Sequence, residues 1–139
     1  MIIDAQTRFS NQQALTTGTE LSTNVYDLGV ARDVGRGAPL RVVVTVDATF
    51  TGGTNVTVNI IESANSDLSS ATIIAAGTAI VEASLTAGAK LLDRVLPLTS
   101  KRYVGLQYVS TGTHGAGKLS GGIVIDSDSG TQFAGNTGL

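Results

Sequence analysis

Cysteine is absent from the 139 residues, and with it go disulfide frameworks, thiolate nucleophiles and every Cys-ligated zinc or iron–sulfur site. Tryptophan is also absent, and aromatic residues make up only 4% of the chain, so few flat surfaces exist for stacking sugars or bases. Charge is scarce too: 14% of residues are charged and the net charge is −2, which leaves no basic surface of the kind that neutralises nucleic-acid phosphates. No apolar run approaches the ~20 residues of a membrane span. The opening MIIDAQTRFS has neither the basic start nor the apolar stretch of a signal peptide, so the chain is expected to fold where it is made.

What is present is 42% hydrophobic residues, drawn mostly from Val, Ile, Leu and Ala, in a chain long enough for one domain with its own core. Those residues alternate with period two. Leu40, Val42, Val44 and Val46 share one face against Arg41, Thr45 and Asp47, with Val43 as the exception. Val56, Val58 and Ile60 repeat the scheme, and Gly52-Gly53 between the two runs predicts a hairpin. Val104, Leu106 and Tyr108, then Ile123 and Ile125, continue the alternation near the C-terminus. Shorter apolar pieces lie near 25 to 28, 71 to 75, 79 to 85 and 90 to 96. The pattern predicts an all-β fold, a jelly-roll-like β-sandwich of about eight short strands over 23–126. Val44, Val58, Leu106 and Ile123 are its expected core, with strand content above about 35% and helix below about 10%.

Residues 1–22 read as a polar N-terminal arm. Ser10 and Gln13 have capping-box spacing there, which allows about one helical turn. Residues 127–139 read as a matching tail. Ile2, Ile3 and Phe9 are the apolar anchors of the arm and Phe133 that of the tail; each is a candidate contact with a partner subunit. Between strands, Asp27, Arg32, Asp33 and Arg36 gather two acids and two bases within ten residues, beside Gly29, Gly35, Gly37 and Pro39. Such a corner either locks itself through local Arg–carboxylate pairs or presents its charges to a neighbour.

Several motifs resemble chemistry without completing it. Gly112 to Lys118 has the spacing of a phosphate-binding loop, but Leu119 stands where magnesium binding needs Ser or Thr, and a strand pattern follows instead of a helix; a flexible loop between strands is expected. Asp126-Ser-Asp128-Ser-Gly130 starts like a calcium loop, yet Thr131 replaces the turn glycine and no Glu follows. His114 is the sole histidine, with no Asp or Glu nearby in sequence to orient it. Asn55-Val56-Thr57 matches a glycosylation sequon but reads as strand. No catalytic, cofactor or metal site is expected.

STNVYDLG, RDVGRGAPLRVVVTVDATF, KRYVGLQYV and TGTHGAGKLSGGIVID, taken in that order with the opening MIIDAQTRFSNQQALT, resemble the capsid cement or decoration proteins of tailed phages, of the type described for a Bordetella podophage. Residues 63 to 90 match that pattern only loosely. The resemblance implies a structural role: a small homo-oligomer, dimer or trimer, made in the host bacterial cytoplasm and bound to the major capsid protein outside the icosahedral head. It implies no direct contact with nucleic acid or membrane. The alternative from composition is a carbohydrate-binding or adhesion module, which shares the β architecture but ordinarily displays exposed aromatics.

Overall fold

A computed structural model describes residues 4–31 and 40–124. The strands are β1 (Arg8–Ala14), β2 (Gly18–Leu21), β3 (Tyr26–Asp27), β4 (Arg41–Ser63), β5 (Thr72–Ala75), β6 (Ile80–Val81), β7 (Lys90–Val95) and β8 (Tyr103–Val124). One short 3-10 turn, Glu82–Ser84, is the sole helical element among the described residues. Strands make up 62% of the structure, well above the threshold expected from the alternation.

The chain is all-β as its pattern predicts, but two of the eight strands are long. β4 has 23 residues and β8 has 22. They run antiparallel along their whole length, from Arg41 opposite Val124 to Ser63 opposite Tyr103. The hairpin expected at Gly52-Gly53 does not form, because both halves of β4 pair with β8 and neither pairs with the other. The glycines bend the ladder instead. Four register shifts fall between Val46 and Asn55, and Gly52, Gly112 and Gly117 there have positive φ values of 92°, 79° and 141°. Residues 112 to 118 are therefore the bent middle of β8, in place of the loop expected from their glycines.

On one side of the bend β7 pairs with β4 and β1 with β8; on the other side β5 and β6 pair with β4, and β2 and β3 with β8. The two halves of this single antiparallel sheet fold over a common core. Val42, Val44, Val46, Leu119 and Ile123 from one half meet Val56, Val58, Ile60, Val104, Leu106 and Tyr108 from the other. A Cβ placed on Gly121 would lie 3.3 Å from Leu106 Cδ1, so the halves are in direct contact. Val44, Val58, Leu106 and Ile123 are all buried as expected.

One polar bridge spans this interior. Ser10 on β1 and the Tyr108 hydroxyl on β8 are 2.7 Å apart, and Ser10 also donates to Gln13 Oε1. Burial raises the Tyr108 phenol's pKa, against the smaller lowering effect of its bond to Ser10, and keeps it neutral. The Ser10–Gln13 contact is the one suggested by capping-box spacing, yet it sits in a bulged strand with Gln12 at φ 49° and not in a helical turn. Over residues 8 to 21 the expected arm is thus two strands of the sheet. Phe9 is fully buried in this chain's own core, which removes it from the candidate contact residues: a ring with no exposed surface has none to offer a partner.

Candidate functional site

The bend is held by side chains that are far apart in sequence. Glu82 Oε1 accepts the Gly53 backbone N–H at 2.8 Å and lies 3.1 Å from His114 Nδ1. A carboxylate can only accept, so Nδ1 carries a proton. The imidazole packs so closely on Gly53 that no Cβ would fit between them, and the Phe50 and His114 rings meet edge to face with centroids 5.1 Å apart. The acid that His114 lacks in its own segment is supplied by the 3-10 turn 32 residues away. The Gly53 N–H, and then His114, hold the Glu82 carboxyl below its ordinary range, against the raising effect of desolvation.

This pair staples β4 and β8 to the 3-10 turn at the bend. The His114 side chain is wholly buried, and its Nε2 has no hydrogen-bond partner. A pocket of about 350 Å³ opens here, lined by His114 together with Ala14, Leu15, Ala48 and Ala116, with Lys118 at its wall. Among the described residues no group of three or more His, Asp and Glu side chains is placed to hold a metal ion. Glu62 is also spent on structure: its carboxylate accepts the Ser100 N–H, the Ser100 hydroxyl and the Lys101 N–H at 2.7, 2.7 and 3.2 Å.

The staple gives a pH prediction. A carboxyl whose folded pKa is depressed contributes stability above its unfolded pKa and loses it as pH falls through the folded value. Glu82→Gln should therefore be less stable than the wild type near neutrality, with the gap closing on acidification below about pH 4.5. Urea midpoints measured from pH 7 to pH 3 check this; parallel curves for the two proteins would contradict it.

The end of the sandwich opposite the bend is where the chain leaves the described fold. Thr7 exchanges hydrogen bonds with Ile123, Leu96 donates to Leu40 O, and Leu28 donates to Arg102 O. Residues 4, 31, 40 and 124 consequently all lie towards this end. Ile2, Ile3, Arg32, Asp33, Arg36 and Phe133 fall outside the described residues, on the segments that start from it. The motif at 126 to 130 also falls outside them. Val30 and Leu98, the two most exposed large apolar side chains among the described residues, stand at this end at 62% and 65% exposure, with Val95 and Ile73 also exposed. Asp27, grouped by sequence with Arg32 and Arg36, accepts from two guanidinium nitrogens of Arg102, Nε and Nη2, at 2.7 and 2.9 Å. That pair is nearly half exposed on each side, so it adds little stability.

A model of the Bbp16 family matches residues 9–123, from β1 into the last turns of the β8 ladder. The chain belongs to the Bbp16 family. The family name suggests a Bordetella phage protein, consistent with the phage type that the sequence resembles. The Bbp16 match takes in all eight strands, the Glu82–His114 staple and the corner carrying Arg32, Asp33 and Arg36; Ile2, Ile3 and Phe133 lie outside it. No curated protein matches the chain.

Proposed function

We propose that this Bbp16-family chain is a structural cement protein that binds the outer surface of an icosahedral phage head and stabilises the expanded shell. Family membership carries the reading. It is supported by the fold, a β-sheet domain whose one His–carboxylate pair ties the bend together. The partner in this reading is the major capsid protein, and the chain acts as a homodimer or homotrimer with no cofactor and no chemical step.

The mechanism is mass action. A subunit that binds the expanded shell more tightly than the precursor shell adds stability to the expanded state in proportion to its differential affinity. An oligomer that touches several shell subunits at once gains avidity from contacts that are individually weak. A glycan-binding role finds less support: Tyr108 is buried in the core and Tyr103 lies beneath the Arg102 guanidinium, leaving few aromatic faces for a sugar ring.

Purified protein is expected to bind expanded empty shells, to bind precursor shells less well and to raise the temperature at which expanded shells rupture. Co-sedimentation and differential scanning calorimetry measure both. Equal affinity for the two forms would remove the selective step, because a ligand without differential affinity shifts no equilibrium. Absence of the protein from purified virions would end the cement reading.

A further inference from the structure

We infer that residues 64–71, which join β4 to β5, form a latch that opens as a unit while the sandwich stays folded, lifting Leu68 out of a slot on the outer face of the sheet. The slot lies over Gly105. A Cβ there would collide with Leu68 Cδ1 and come within 3.2 Å of Ser22 Oγ, so the missing side chain makes the room that Leu68 fills. Gly105 stands opposite Ile61 on β4, and cross-strand partners share a face of the sheet. Ile61 and Leu68 are both buried, yet neither belongs to the main core cluster, which takes Ile60 and Leu106 from the opposite face. They form a small second cluster, and Leu68 is its cover.

Little besides Leu68 ties the loop to the sheet. Leu68 is the sole buried side chain of residues 64–71. The loop's hydrogen bonds close on residues 63–69: Ser63 Oγ donates to Ser69 O at 2.6 Å and accepts the Asn65 N–H at 3.0 Å, Asp67 Oδ1 accepts the Ser69 N–H at 2.9 Å, and the Leu68 N–H donates to Asn65 O at 3.1 Å. The backbone favours release. Leu68 and Ser70 have φ values of 59° and 52°, which L side chains rarely adopt, so seating Leu68 works against local strain. The strands at the two ends of the loop are anchored without it: Glu62 accepts the Ser100 and Lys101 N–H groups, and Lys101 Nζ donates to Thr72 Oγ1 at 2.8 Å. A segment with one buried side chain between fixed ends belongs to the low-stability end of local opening. Opening bares Ile61 and the Gly105 slot beside Ile73, which pairs with Ile61 and is already 49% exposed.

The chain contains no cysteine, so Ile61→Cys places a single thiol beneath the latch and Val58→Cys places one in the main core of the full-length protein. Without denaturant, iodoacetamide is expected to label the Ile61→Cys thiol about ten-fold faster or more, because it needs only the latch to lift while Val58→Cys waits for the sandwich to unfold. Leu68→Gly removes the cover and relieves the strain. It is expected to speed Ile61→Cys labelling several-fold further, with circular dichroism and the Val58→Cys rate unchanged. Equal rates for the two thiols would overturn the inference. An Ile61→Cys rate indifferent to Leu68→Gly would also overturn it, by assigning the access to fraying of β5. Hydrogen exchange of the unsubstituted protein repeats the comparison without variants: the Leu68 and Ser69 amides should exchange well ahead of those of Val58 and Leu106, and a common rate for all four would show that the loop opens only with the whole fold.

Discussion

Phe9→Ala is expected to destabilise the isolated protein by about 3 to 5 kcal/mol, the range for deleting a buried aromatic ring. The ring is fully buried among residues from both halves of the sheet, and its backbone carbonyl accepts the Asn24 N–H at 2.9 Å, so the site cannot collapse without moving β1 and the approach to β3. A loss of that size corresponds to a fall in Tm of roughly 10 to 20 °C for a domain of this length. Had Phe9 served as a contact anchor, the same substitution would leave the monomer's stability alone and weaken association. Thermal unfolding together with sedimentation separates the two, and an unchanged Tm would contradict the core assignment.

Gly117→Ala should be comparably costly, for a different reason. A Cβ at this position would meet the Phe50 ring at 2.2 to 2.6 Å, and the backbone has φ 141°, which L side chains rarely adopt. Overpacking and backbone strain together are expected to cost about 3 to 5 kcal/mol. The ring has little room to yield, since Phe50 is 2% exposed and already meets the His114 edge. Gly115→Ala supplies the control two residues away. Its added Cβ would find only Thr51 O at 3.9 Å, an ordinary contact, so the change should stay within about 0.5 kcal/mol. Equal urea midpoints for the two variants would show that the bend is not held by close packing at Gly117.

The strand positions were legible because alternation is a local property. Val42, Val44 and Val46, or Val104, Leu106 and Tyr108, declare an inward face regardless of which strand lies beside them, and all six are buried. Pairing is not local. Gly52-Gly53 reads equally well as a hairpin turn or as a bend in one long strand, and only the presence of β8 along both halves of β4 chooses the second. Gly112 to Gly117 misled in the same way, since glycines that free a loop also let a strand turn a corner.

The residues of the staple carry no signature that sequence reasoning could have used. Gly53, Glu82 and His114 lie on three separate elements, and their spacing matches no motif because the fold, not the chain order, brings them together. The buried Phe9 was masked by its polar neighbours Arg8, Asn11, Gln12 and Gln13, which made a core strand look like a solvated arm. A single inward ring at a bulge breaks the alternation on which recognition of strands depends.

Sequence by itself determined the all-β class, the inward faces and the phage family, because these rest on residue type, on period and on the order of segments along the chain. Tertiary structure alone decided that β4 and β8 are long bent strands, that Phe9 belongs to the core, that Asp27 answers to Arg102, and that the segments bearing Ile2, Arg32 and Phe133 leave from one end. Each of those outcomes is set by contacts between residues far apart in sequence, whose free energy appears only once the two halves of the sheet have closed on each other.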